Sequence, residues 1–345
     1  MHITIDCRMW GEKFGGIGRY TKEIVLYLIT HKKWKFTLLY SPQAFKDLQS
    51  LQNKNIELIP CNAKIFSLKE QWEVWKKVPR CDLFWSPYMN IPFIRTKAKK
   101  QVVTLHDVFH VANPQYYSKL KRIAIAPYYF FSTRNSSLIL TVSQFSKSEI
   151  QKYFGKGIAD KVSVVYNGCE IQEDNIAAKN IGKKYFLFVG SIKPHKNLKN
   201  ALLGFKELEN DDYRFIIVGK KEGFITGDSE VFNLVNQINK EREKVLFTGN
   251  IDDQELYAWY KGASALVMPS LYEGFGLPIV EAMHFNIPII ASNIPVLKEI
   301  GEDYISYFNP YDPNSIKEKM NFIIQQNQSV LFPTWRTWAE TAEDI

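Results

Sequence analysis

Short apolar runs alternate with longer helical patterns along the whole chain, the signature of parallel β-strands joined by crossover helices. In the first half the runs Ile3–Cys7, Phe36–Tyr40, Ile56–Pro60, Leu83–Ser86, Val102–Leu105, Leu138–Val142 and Val162–Tyr166 predict strands. The stretch Gly15–Ile29 reads as a glycine-rich loop feeding an amphipathic helix. A second series then begins afresh with Tyr185–Val189, Phe215–Val218, Val245–Phe247, Ala265–Met268, Ile287–Ala291 and Ile305–Phe308. Between the two, Asn167–Lys184 is polar and poor in large apolar residues, and reads as a linker. The last stretch, Pro333–Ile345, reads as one more helix, whose Trp335 and Trp338 at i,i+3 would form an apolar stripe needing cover.

The length of 345 residues exceeds a usual single domain, so two domains are expected. With 46% hydrophobic and 23% charged residues the composition is that of a soluble globular protein. No run approaches the ~18 apolar residues of a membrane span. The opening MHITIDCRMW starts directly as a strand, without the plan of a signal peptide. Cys7, Cys61, Cys81 and Cys169 are scattered and read as reduced thiols, which points to the cytoplasm. Charge changes the picture more. Residues 1–168 carry 26 Lys and Arg against 11 Asp and Glu, a balance of +15, while residues 169–345 carry 18 against 25, a balance of −7. The first half is therefore expected to face something anionic. Arg95, Lys97, Lys99 and Lys100 form one basic cluster, and Lys119, Lys121 and Arg122 stand just before the aromatic run Pro127–Phe131. Basic residues beside aromatics suit peripheral contact with an anionic membrane. No recognised nucleic-acid-binding module is present, so nucleic acid is not expected.

The chemistry concentrates in Pro269–Ala282, PSLYEGFGLPIVEA, between a strand and a helix. Gly274 and Gly276 let the backbone approach a ligand, and Pro278 suits the first helical turn. A helix N-terminus presents unpaired N–H groups to an anion. Glu273 and Glu281 frame it, and carboxylates accept hydrogen bonds from sugar hydroxyls. Diphosphate at the helix tip with sugar on either side describes a nucleotide-sugar. Three further stretches carry candidates. They are Gly15-Gly16-Ile17-Gly18-Arg19-Tyr20, Thr104-Leu105-His106-Asp107 at a strand end, and Gly190-Ser191-Ile192-Lys193-Pro194-His195-Lys196-Asn197. The glycine spacing of the first is not G-x-G-x-x-G, so a dinucleotide fingerprint is not supported. His106 and His110 could be read as an i,i+4 metal pair, but no third ligand of matching logic follows, and no metal is expected.

Glu273 and Glu281, with seven residues between them in EGFGLPIVE, resemble the E-x7-E signature of retaining GT-B glycosyltransferases of family 4. The resemblance implies two Rossmann-like α/β domains facing a cleft, with a last helix crossing back to the first. Residues 1–170 and about 330–345 would bind the acceptor, and 171–329 the donor. It also implies roles. Gly16 would lie near the transferred sugar. His106 would contact a sugar hydroxyl or the reacting centre. Lys196 would be the phosphate-binding lysine, with Gly190 and Ser191 beside it. Many relatives carry Arg where this chain has Ser191, and a subgroup carries an E-P-R-K-N segment where this chain reads K-P-H-K-N; Lys193 and His195 are the two candidates for the second cation, and the choice between them is open. Gly249, Asn250 and Ile251 would hold the nucleobase through backbone groups, with Val218-Gly219-Lys220 bordering the pocket. Glu281 would take ribose hydroxyls and Glu273 the donor sugar. The N–H groups of Phe275, Gly276 and Leu277 would meet phosphate or sugar.

The implied activity is hexosyl transfer from a nucleoside-diphosphate sugar, without a cofactor or metal. The GGIGRY loop and the K-P-H-K-N segment look most like mannosyltransferases of surface-polysaccharide and O-antigen assembly. GDP-mannose is then the expected donor, and a saccharide or lipid-linked saccharide at the inner face of a membrane the acceptor. The alternatives are a UDP-sugar donor on the same fold, or a sugar-nucleotide 2-epimerase that needs no acceptor.

Overall fold

The structure is a computed structural model that describes residues 1–11, 14–173, 176–219, 229–326 and 330–345. It divides into two compact units, Met1–Gly168 with Arg336–Ile345, and Cys169–Trp335. The first holds β1 (His2–Asp6), β2 (Lys35–Tyr40), β3 (Ile56–Pro60), β4 (Leu83–Ser86), β5 (Lys100–Thr104), β6 (Leu138–Thr141) and β7 (Val162–Val164). The second holds β8 (Lys184–Val189), β9 (Tyr213–Val218), β10 (Val245–Gly249), β11 (Ala265–Met268), β12 (Ile289–Ser292) and β13 (Ser306–Phe308). The sheet orders are β3-β2-β1-β4-β5-β6-β7 and β10-β9-β8-β11-β12-β13. The ladders between these strands are parallel.

Parallel strands covered on both faces need no polar alternation. Accordingly Tyr185, Phe186, Leu187 and Phe188 are buried in succession along β8. The helix Leu198–Lys206 covers that sheet with Leu198, Ala201, Leu202 and Phe205, an i, i+3, i+4, i+7 face. In the first unit Phe84, Val103 and Ile139 form the corresponding core with Val74, Tyr129 and Ile150.

Three local readings change. The glycines of GGIGRY are not a loop; the helix Gly15–His31 begins with them. A Cβ on Gly18 would stand 2.0 Å from the Gly11 carbonyl oxygen, so close packing demands glycine there. The tail is not one helix from Pro333. It starts at Trp338, where Thr337 and Glu340 form a capping box. The two tryptophans therefore part company. Trp335 belongs to the second unit, against Phe275 with ring centroids 5.9 Å apart, and Trp338 to the first, 6.3 Å from Tyr20. Glu343 ties the tail helix to the helix Gly15–His31, accepting from Tyr27 (2.5 Å) and Lys32 (2.8 Å). Finally, the aromatic run lies in the helix Lys119–Asn135, where Tyr128 and Tyr129 are core and Phe130 is exposed.

Candidate active site

In the second unit the chain winds from β8 to β9 on one side and returns to β11 on the other. Open α/β sheets bind ligands at the carboxyl ends of strands where this direction switches. The loops after β8 and β11 meet there. After β8, Gly190 donates its N–H to the Val218 carbonyl (2.9 Å), and a short turn, Pro194–Lys196, leads to Asn197. Asn197 has φ 56° and ψ 30°, a left-handed conformation that Asn tolerates better than most residues. Its buried side chain donates to the carbonyls of Pro269 (3.0 Å) and Pro310 (2.8 Å). The Leu271 N–H donates in turn to the His195 carbonyl (2.8 Å). The two loops are thereby laced together before any side chain of the site is considered.

This lacing puts Lys196 and Glu273 in contact. Lys196 Nζ lies 2.5 Å from Glu273 Oε1, and Ser270 Oγ donates to the same oxygen at 2.6 Å. The lysine side chain keeps 21% exposure and the glutamate 12%, so both remain open to a ligand. An ammonium can meet phosphate oxygens while an ionised carboxylate accepts from hydroxyls, and these charge-assisted bonds are the stronger kind. Ser191 and Lys193 are exposed on the same loop and His195 is half-buried.

Beyond Glu273, Gly274, Phe275 and Gly276 are buried, and Gly276 at φ 113° opens the helix Leu277–His284 with Pro278 in its first turn. A Cβ at Gly276 would stand 3.1 Å from Leu297 Cδ2, in a backbone region side chains avoid. Glu281 sits on the inner face of that helix, 6% exposed, and its Oε2 accepts from Tyr260 Oη at 2.8 Å. Tyr260 is itself fully buried and stacked on Phe285. The third segment lies two strands from β8. Gly249, at φ 78°, follows a register shift at the end of β10, Asn250 is exposed and Ile251 half-buried. Asp252 then caps the helix Asp253–Gly262. Lys220, read as bordering this pocket, lies outside the described residues.

In the first unit, Gly16 is exposed in the opening turn of its helix, and Tyr20 of that helix meets His106 edge-on at 4.8 Å. His106 follows β5, and its Nε2 lies 2.8 Å from the Pro87 carbonyl oxygen. A carbonyl only accepts, so Nε2 carries the proton and Nδ1 is the acceptor. Burial lowers its pKa, opposed in part by the Pro87 carbonyl and Asp107, so the ring is neutral at pH 7. His106 and His110 do not share a helical face, because the helix starts at Phe109; His110 Nδ1 lies 3.2 Å from Tyr129 Oη.

Three features escaped the sequence reading. Ser270 and Tyr260 hold the two glutamates, and a serine three residues before Glu273 was the only sign of the former. The third is a buried ionic cluster at the end of β1. Arg8, 1% exposed, donates to Asp6 (2.7 and 2.5 Å), to Glu70 (2.5 Å) and to Tyr88 (2.7 Å). Burial works against the Arg8 charge, yet Asp6, Tyr88 and Glu70 hold its pKa well above the ordinary value.

Comparison with known proteins accords with this architecture. Residues 171–343 match the family Glycosyl transferases group 1, and residues 14–173 match Glycosyltransferase Family 4. The O-antigen chain mannosyltransferase RfbU of Salmonella typhimurium is 30% identical over 298 residues, covering 86% of this chain and 80% of that one. O-antigen chain mannosyltransferase B of Escherichia coli is 26% identical over 334 residues, covering 87% and 84%. Among solved structures, Anabaena Alr3699/HepE in complex with UDP and glucose superposes with a TM-score of 0.71 at 18% identity, over 100% of this chain and 94% of that one. With both halves matched and both sheets doubly wound, the chain belongs to the group 1 glycosyltransferases and is a glycosyltransferase of the GT-B fold.

Proposed function

We propose that the enzyme transfers a mannosyl group from GDP-mannose to a lipid-linked saccharide, with retention at the anomeric carbon, in the assembly of a surface polysaccharide. The observation that carries this reading is the meeting of Lys196, Glu273 and Ser270 at the switch point between β8 and β11. The names of the two curated relatives, both O-antigen mannosyltransferases, support the sugar and the pathway class. In this reading the second unit holds the donor. Lys196 turns from Glu273 to the diphosphate and stabilises the charge that grows as it leaves. Glu273 accepts from hydroxyls of the transferred sugar, and Glu281 from ribose hydroxyls. His106, a neutral donor and acceptor, serves a sugar hydroxyl. No metal is required, because side-chain cations and backbone N–H groups meet the phosphate.

A double displacement would need a free carboxylate at the anomeric carbon. Glu273 is held by Lys196 and Ser270, and Glu281 is buried against Tyr260, which favours front-face displacement with the departing phosphate drawing the acceptor proton. The protein would work at the cytoplasmic face of a membrane, where a lipid-linked acceptor is presented.

The test is the melting temperature with saturating GDP, UDP, ADP or CMP, each with chelator present. A ligand at about 100 times its dissociation constant adds about 2.7 kcal/mol. GDP alone is expected to raise it, and GDP release from GDP-mannose is expected to need acceptor. A shift with UDP alone would overturn the donor; no shift with any nucleotide would overturn the site; turnover of donor alone would favour an epimerase. Ser270→Ala is expected to lower kcat about 10- to 100-fold at saturating donor and to lower the melting temperature by a few degrees, because Ser270 is buried and one hydrogen bond to a charged group is worth about 1.5–3 kcal/mol. Steady-state kinetics beside a melting curve check it.

A further inference from the structure

The buried ionic cluster at the end of β1 takes no part in the chemistry proposed above, yet it stands where a ligand would. In the first sheet the chain winds from β1 to β2 and β3 on one side and resumes with β4 on the other, so β1 and β4 border the switch point. Arg8 follows β1, and Tyr88 follows β4. The carbonyl of Pro87, beside Tyr88, is the one 2.8 Å from His106 Nε2. Buried ion pairs are often no more stabilising than apolar residues of the same volume. What this cluster holds in place is therefore the more informative question.

It holds Phe66. Glu70, besides accepting from Arg8, accepts from the Phe66 N–H at 2.6 Å. Ser67 caps the helix Leu68–Lys77, its side chain accepting from the Glu70 N–H at 3.2 Å. In a capping box the glutamate would return to the cap residue's own N–H. Here it returns one residue earlier, and Phe66 sits at φ 63°, a left-handed conformation that bulky side chains avoid. Such strain persists where the surroundings over-determine it, and it clusters at ligand sites. The ring so held is 43% exposed. It meets Tyr88 at 6.5 Å and Tyr128 at 5.3 Å, both nearly at right angles, and among the described residues no ring lies flat against it.

Tyr128 supplies a second, independent sign. It is 6% exposed and packed edge-on between Phe66 and Phe93, yet among the described residues its hydroxyl has no hydrogen-bond partner. A buried tyrosine ordinarily finds one. Burial, with the Glu70 charge nearby, pushes its pKa up, so it stays protonated and able to donate. An open aromatic ring beside an unused hydroxyl suits a ligand with an apolar C–H face and hydroxyls around its rim. A pyranose has that form. The charges of the cluster, Arg8 against Asp6 and Glu70, leave no excess of positive charge to select an anion.

We propose that Phe66 and Tyr128 bind the sugar of the acceptor that receives the transferred group, its C–H face on the Phe66 ring and one hydroxyl on Tyr128 Oη. This rests on the reading of the acceptor as a saccharide and names the residues that select it. The test needs no donor, so its failure would leave the nucleotide site standing.

Octyl glycosides of mannose, glucose, galactose and N-acetylglucosamine are titrated into the full chain without nucleotide and followed by saturation-transfer NMR. At least one is expected to bind, with saturation stronger on sugar-ring C–H protons than on the octyl chain. Phe66→Ala and Phe66→Gly are expected to weaken binding about tenfold or more, the scale of an aromatic ring's apolar surface returned to water. Phe66→Tyr, which keeps the ring, should bind as the unaltered chain does. Phe66→Gly should melt above Phe66→Ala, the reverse of the usual order, because glycine adopts φ 63° freely. Tyr128→Phe is expected to weaken binding about three- to tenfold, one hydrogen bond's worth. Its melting temperature should hold or rise, since no internal partner is lost. The GDP response should be that of the unaltered chain in every variant. Binding by none of the glycosides would overturn the proposal, as would binding that both Phe66→Gly and Tyr128→Phe leave intact. Saturation confined to the octyl chain would overturn it too, because the ring would then be taking an alkyl chain. A lowered melting temperature in Tyr128→Phe with binding unchanged would make that hydroxyl structural and sink its part.

Discussion

Lys196→Ala is expected to lower kcat/KM by about 100- to 1000-fold, the loss seen when one preorganised charge-stabilising donor is removed from a reacting centre. Folding should scarcely change. The Lys196–Glu273 pair is partly exposed, 21% and 12%, and such ion pairs add about 0–1 kcal/mol. Glu273→Ala should cost activity on a similar scale, because it removes the acceptor for the sugar. Since the two side chains touch at 2.5 Å, their losses should not add. The double variant is expected to be little worse than the worse single one. Initial rates at several donor concentrations, with melting curves for each variant, read all of this. Near-normal rates in both single variants would remove these residues from the site.

Arg8→Ala is expected to destabilise the first unit by about 3–5 kcal/mol, since truncating one partner of a buried pair strands the other charges. Asp6 and Glu70 are 0% exposed, and the neutral donors that remain, the residue 8 N–H and Tyr88 to Asp6 and the Phe66 N–H (2.6 Å) and Asn90 to Glu70, cannot neutralise two carboxylates. The pH dependence separates this from a simple cavity. Burial already pushes the Glu70 carboxyl up, with Arg8 pulling it down. Without Arg8 the folded-state pKa rises further above the unfolded value, so the folded chain binds protons more readily than the unfolded one and stability rises as pH falls. The deficit against the unaltered protein should therefore narrow from pH 8 to pH 5. Denaturant titrations across that range check it, and a deficit independent of pH would mean that packing alone is at stake.

The elements were legible because each is a local pattern. All of the predicted strand runs lie in strands, with ends shifted by a residue or two, and β10 ran two residues longer to Gly249. EGFGLPIVE was legible because a left-handed Gly276 and a Pro278 in the first turn are demanded by backbone geometry alone. What failed was reading beyond the local. The GGIGRY glycines suggested a loop, yet Gly18 is there to clear the Gly11 carbonyl, a contact no spacing rule announces. Trp335 and Trp338 suggested one stripe, but the T-x-x-E cap at Thr337 starts the helix between them. Tyr128 and Tyr129 were candidates for a membrane surface by composition. The helix turns them into the core and leaves Leu120 and Ile123 outside, which depends on which side of the helix the sheet lies.

From sequence alone follow the two series of parallel strands with their crossover helices, the glycine–proline entry to the helix Leu277–His284, and the unequal charge of the two halves. These depend on residues near one another in the chain, where periodicity and backbone sterics act. The partners of the functional side chains came only from tertiary structure. Lys196 and Glu273 are 77 positions apart, Arg8 and Glu70 are 62 apart, and Tyr260 and Glu281 are 21 apart. A buried or half-buried charge takes its partner from whatever the folded strands bring beside it. In this chain that is decided by the parallel order of β8 and β11, and of β1 and β4, rather than by any stretch of sequence.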